Sequence, residues 1–189
     1  PSNTHDKGIR LGTSTVTLAN GQNVAWDLTG AEVVEASQST IVITGYRNDC
    51  CGNYFKVGGH VYNDLIFTSD KADAGGFWQI EGDNTFNTVT FTTDGKLTGS
   101  NTINTLNLAK GSIYTFTEGQ TQTIGTISGS GDCILGTTWK SSSTSSQTNI
   151  AIASGTFDLD YFTIQGLNII GGATFNMTNV VDQGNNTGV

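Results

Sequence analysis

What most narrows the folds open to this chain is an internal repeat. The segment Gly82-Asp83-Asn84-Thr85-Phe86-Asn87-Thr88-Val89-Thr90-Phe91 returns as Gly99-Ser100-Asn101-Thr102-Ile103-Asn104-Thr105-Leu106-Asn107-Leu108, 17 residues on. Upstream, Tyr62-Asn63-Asp64-Leu65-Ile66-Phe67 matches Phe86 to Phe91 at an offset of 24, and downstream Ile124-Gly125-Thr126-Ile127-Ser128 matches Ile103 to Asn107 at 21. The unit reads apolar, Asn or Gly, Thr or Asp, apolar, any residue, apolar. Spacings of this size fit one coil of a solenoid, in which each repeat buries its apolar face only by stacking on its neighbours. A hairpin meander has no need of such a period.

Within the unit, Val89 with Phe91 and Leu65 with Phe67 stand two apart, so they face one side of a strand while Thr90 or Ile66 faces the other. The polar steps Asn87-Thr88 and Asn104-Thr105 read as corners, because Asn tolerates a left-handed backbone and bonds its own turn. A second, more variable strand follows in each repeat: Phe77 to Ile80, Lys96 to Thr98 and Ser112 to Phe116, with Asp94-Gly95 and Lys110-Gly111 as turn signals. Strand patterns also occur at Thr15–Leu18, Asn23–Leu28, Ile41–Thr44, Asn149–Ala153, Thr156–Leu159, Tyr161–Ile164 and Ala173–Met177. The nearest approach to a helix, Ala31 to Ala36, has no Gly cap and reads equally as strand.

The expectation is an all-β, right-handed parallel β-solenoid with coils of about 17–24 residues, about nine of them in all. An antiparallel β-sandwich is the alternative. Residues 1–189 form one domain, with less regular N-terminal coils over 1–50 and the repeat region over 51–189. Opening on Pro1 and not on Met, the sequence is expected to be an excerpt of a longer chain or a processed product.

Composition limits the partners. With 8 Lys and Arg against 16 Asp and Glu, the net charge of -8 offers little to nucleic acid phosphates or to anionic membranes. No apolar run approaches the roughly 18 residues of a membrane-spanning helix, so no membrane insertion is expected. Cys50, Cys51 and Cys133 form neither a metal knuckle nor a disulfide scaffold. A bridge from Cys133 to one of the adjacent pair leaves one thiol over; the plainer reading is three small, at least half-buried residues.

Four blocks carry a resemblance: Gly82 to Phe91, Gly119-Gln120-Thr121-Gln122-Thr123-Ile124, Gly171-Gly172-Ala173-Thr174-Phe175, and Asp182-Gln183-Gly184-Asn185-Asn186-Thr187-Gly188. In that order they resemble repeat modules of very large, adhesin-like, secreted surface proteins of Bacteroidetes-type bacteria. The likeness spans roughly Gly52 to Val189. Those modules usually place Trp after the Asn-Asn-Thr-Gly step, where this sequence has Val189. The resemblance implies an extracellular, cell-surface location, neighbouring domains in the same long polypeptide, and a spacer or surface-contact role. It carries no catalytic residues.

Chemistry-bearing constellations are thin. A hydrolase or lyase on such a scaffold needs clustered carboxylates on one face, for which Asp158 with Asp160 and Glu81 with Asp83 are the candidates, without Lys, Arg or His nearby in sequence. The expectation is therefore no enzyme and no obligate cofactor. Calcium is the one metal considered, with Glu81, Asp83 and Asp182 as hard oxygen ligands at turns. His5 and His60 are the only imidazoles, and His60 reads as a turn residue. Trp26, Trp78 and Trp139, with Tyr46, Tyr54 and Tyr114, make a platform for surface glycans if they face solvent, and core if they do not. Thr15 with Thr17 and Thr88 with Thr90 raise the idea of a flat ice-binding face, but such pairs do not recur in every repeat.

Overall fold

In the computed structural model, which describes residues 8–19, 24–45, 53–68 and 76–189, the regular elements are all strands. The chain opens with β1 (Gly8–Arg10), β2 (Thr15–Leu18), β3 (Val24–Asp27), β4 (Val33–Ile43), β5 (Asn53–Lys56) and β6 (Val61–Phe67). The repeat region continues through β7 (Trp78–Glu81), β8 (Thr85–Phe91), β9 (Gly95–Leu97), β10 (Thr102–Asn107), β11 (Ile113–Phe116), β12 (Thr121–Ser128) and β13 (Thr137–Ser141). It ends with β14 (Thr148–Ile152), β15 (Thr156–Asp160), β16 (Phe162–Gln165), β17 (Leu167–Gly171), β18 (Thr174–Thr178) and β19 (Val181–Asp182).

From β2 onward the strands alternate between two parallel sheets. The first runs β1-β4-β6-β8-β10-β12-β14-β17, with β2 also paired to β4; the second runs β19-β16-β13-β11-β9-β7-β5-β3. Each passage through both sheets is one coil of a parallel β-solenoid, and the eight strands of the second sheet mark eight coils among the described residues. The coils vary in length. Val16 pairs with Ile41 after 25 residues, Phe86 with Ile103 after 17, and Gln122 with Ile150 after 28. In the last two coils β15 and β18 pair in a third, two-stranded sheet.

Register decides between solenoid and sandwich. Phe86 pairs with Ile103 and Ile103 with Ile124, all parallel and all within 2% of full burial. The antiparallel alternative is excluded. Successive coils therefore pile like residues on like, and aromatic rings stack along the interior: Trp26 on Phe55 at 6.0 Å, Tyr62 on Phe86 at 5.4 Å, Phe67 on both Trp78 and Phe91 at 4.9 Å. Such pairs add to plain burial because offset rings meet with complementary quadrupoles.

The Asn-Thr step differs from its expected form. It lies inside β8 and β10, not between strands, and neither Asn87 nor Asn104 has positive φ. Phe86 and Val89 both point inward with exposed Asn87 and half-buried Thr88 between them, so two residues face out where strict alternation puts one. The chain bends there without leaving the sheet. The true turn is at Gly82 and Gly99, whose φ of 94° and 79° suits glycine. At Gly82 a Cβ would come 1.9 Å from the carbonyl oxygen of Val57. The Ala31–Ala36 segment resolves as strand, entering β4 at Val33.

Candidate functional site

Of the two readings of the aromatic residues, platform or core, the three tryptophans take the second. Trp78 and Trp139 are 1% exposed and Trp26 is 9%, all three inside the stack. Trp139 meets Phe116 and Phe162 edge-on at 6.2 and 5.3 Å. Tyr114 is fully buried, with its hydroxyl accepting from Ala109 N at 2.7 Å, and burial pushes it up to about 12. Tyr54 remains half-buried on the outside, whereas Tyr46 lies outside the described residues, as do His5, Cys50 and Cys51. Cys133 is a free thiol on an exposed loop, against the expectation of at least partial burial.

The calcium candidates are not brought together. Glu81 ends β7 and accepts from Gln79 Nε2 at 2.7 Å, with Lys56 Nζ at 3.8 Å. Asp83 is exposed and accepts from the backbone N of Ser100 at 2.7 Å. Asp182 sits coils away in β19, accepting from Gly184 N at 2.7 Å and Asn186 Nδ2 at 2.6 Å. Among the described residues no group of three acidic, His or Cys side chains converges.

Asp158 and Asp160 do share one face of β15, but each is held by the next coil. Asn176 Nδ2 donates to Asp158 Oδ1, and both Asn179 Nδ2 and Thr178 Oγ1 donate to Asp160 Oδ1, all at 2.8 Å. Those bonds, from Asn179 first and then Thr178, lower the Asp160 carboxyl below its ordinary value. A general acid needs the opposite shift. His60 lies half-buried between β5 and β6, one residue before Val61, which pairs with Thr85.

What the sequence reading missed are side-chain ladders. At the buried turn, Asn101 Oδ1 accepts from Asn84 N at 3.2 Å, and Asn101 Nδ2 donates to Gln122 Oε1 at 3.1 Å. Gln122 Nε2 in turn donates to the Gly99 carbonyl at 2.6 Å. Outside, Asn104 Nδ2 donates to Asn87 Oδ1 and Asn87 Nδ2 to Asp64 Oδ1, each at 3.3 Å. Thr15, Thr40, Asp64, Thr88, Thr105 and Thr126 form one outward column of the first sheet, interrupted by the carboxylate of Asp64. Asp64, Thr88, Thr105 and Thr126 already align in the sequence repeat, whereas Thr15 and Thr40 join the column only through strand register.

A concavity of about 480 Å³ lies on the outer face of the second sheet. Phe77, Lys96, Thr115, Lys140 and Gln165 line it, with Asp94, Gly95 and Ile113 at one side and Ser141, Ser142 and Thr144 at the other. Lys96 Nζ stands 6.0 Å from the centre of the Phe77 ring. Register puts Lys96 beside Thr115, Thr115 beside Lys140 and Lys140 beside Gln165, a row along the solenoid axis. The other described cations have carboxylate partners: Arg10 has Glu35, Lys56 has Glu81 and Lys110 has Asp132.

Comparison with protein-family models, with curated proteins and with solved structures found no match.

Proposed function

We propose that this chain is a structural, surface-contact module of a large secreted bacterial cell-surface protein, acting as a spacer between neighbouring domains and not as an enzyme. The observation that carries this reading is the direction of the stack. β1 and β3 lie at one edge of the sheets and β17 and β19 at the other, so the chain enters and leaves at opposite ends of a continuously packed interior. Modules of that kind join in series, and each open edge is covered by its neighbour. The sequence resemblance to adhesin-like repeat modules supports an extracellular setting.

Pulling the chain between its ends in a force spectrometer is the direct test. A spacer resists and then lengthens in discrete steps of about one coil; loss of structure at negligible force defeats the reading. In parallel, incubation with neutral and acidic polysaccharides is expected to leave them uncleaved. Cleavage that disappears on Asp158→Asn or Asp160→Asn makes the protein an enzyme instead.

A further inference from the structure

The geometry points to the outer groove of the second sheet as a binding site for an acidic saccharide chain lying along the solenoid axis. This deepens the surface-contact part of the function above and rests on it. Three features carry it.

The first is charge. In a protein of net charge -8, Lys96 and Lys140 share one groove, while the remaining described cations are each matched by a carboxylate. The acidic residue on the groove wall, Asp94, is 7% exposed and accepts from Ile113 N at 2.8 Å. Glu118, beside the rim, is hydrogen-bonded to Ser142. Both carboxylates keep their charge but are tied to these partners, whereas Lys96 and Lys140 have no ion pair among the described residues. Repulsion from more distant carboxylates is screened over about 8 Å at physiological ionic strength.

The second is spacing. Lys96 and Lys140 lie on alternate strands of a parallel sheet, with Thr115 on the strand between. Neighbouring strands are about 4.8 Å apart, which puts the two backbone positions roughly 10 Å apart along the axis. That is roughly the length of a disaccharide, so a polymer with an anion on every second ring meets both ammonium groups.

The third is the chemistry between the charges. The Thr115 hydroxyl and the Gln165 amide offer both donors and acceptors to sugar hydroxyls. Ile113, 39% exposed, and the half-buried Phe77 ring provide apolar surface for the faces of pyranose rings. The concavity, of about 480 Å³, is an open groove lined by polar and apolar groups together, which suits an extended chain lying across it.

The test is retention of the intact chain on immobilised polygalacturonate and dextran sulfate, with dextran and polyglutamate as controls, at about 0.1 M salt. The wild type is expected to be retained on one or both acidic saccharides, and which one names the anion; neither control retains it comparably. Lys96→Gln and Lys140→Gln each weaken retention about two- to fivefold and together remove it, while Lys110→Gln, outside the groove, has no effect. Both groove lysines project outward, so their variants keep the wild-type melting temperature. No retention on either acidic saccharide overturns the inference, as does equal retention on polyglutamate or undiminished binding by the double variant. None of these results touches the force trace or the cleavage assay, so the groove can fail while the spacer stands.

Discussion

Gly95 shows how a single residue changes meaning once its neighbours are known. Beside Asp94 it reads as a turn signal, yet it opens β9 with a negative φ and is buried. It pairs with Trp78 on one side and Tyr114 on the other, and a Cβ there would come within 3.0 Å of both the Phe91 and Tyr114 rings. Its role is to leave room for rings. Gly95→Ala is therefore expected to destabilise the protein by about 1–3 kcal/mol through overpacking. Denaturant unfolding checks this: the midpoint should fall with the slope unchanged, and a wild-type midpoint refutes the account. The three Trp residues teach the same lesson. Each lies on a short strand whose inward face is set by pairing with the next coil, so composition could raise a platform but not orient it.

At the scale of the element, the glycine turn and the amide behind it act as one unit. Asn84, Asn101 and Gln122 are 3%, 1% and 0% exposed, and each bonds to the next. Asn101→Leu keeps the branched shape but strips the acceptor from Asn84 N and the donor from Gln122 Oε1. The expected cost is about 1–3 kcal/mol, the penalty for orphaning buried polar groups. Asn104→Ala, in the exposed ladder, should stay within about 0.5 kcal/mol. Comparing the two by thermal melting separates buried from surface ladders, and equal losses would refute the distinction. Most strands were legible from apolar alternation. β13 was not, because Thr137 and Ser141 share its inward face with Trp139, 1% and 4% exposed, and an inward hydroxyl looks like an outward one. β17 was not legible either: buried Ile169 is followed directly by exposed Ile170, so its apolar residues do not alternate.

For the whole molecule, stacking makes stability a sum of coils and of contacts between neighbours. Deleting residues 85–101 removes β8 and β9 and joins Asn84 to Thr102, which reproduces the native Asn101-Thr102 junction. The shortened chain is expected to fold, with β10 on β6 and β11 on β7, and to unfold with a smaller denaturant slope because less surface is exposed. Far-UV circular dichroism and urea titration check it. A chain that fails to fold would show that the coils are not interchangeable, and the solenoid account of its energetics would be wrong.

The repeat alone determined that the chain is all-β, that its coils stack, and that Phe86, Ile103 and Ile124 share an interior, because equal patterns at offsets of 17 and 21 align only when the coils lie parallel. Which residues meet outside the repeat, such as Gln122 with Ile150 after 28 residues, was decided only by the tertiary structure. Side-chain columns run perpendicular to the chain, and their partners are set by loop lengths that carry no pattern of their own. For that reason the tryptophans were placed inside, and Lys96, Thr115 and Lys140 were joined in one groove, only when the strands were in register.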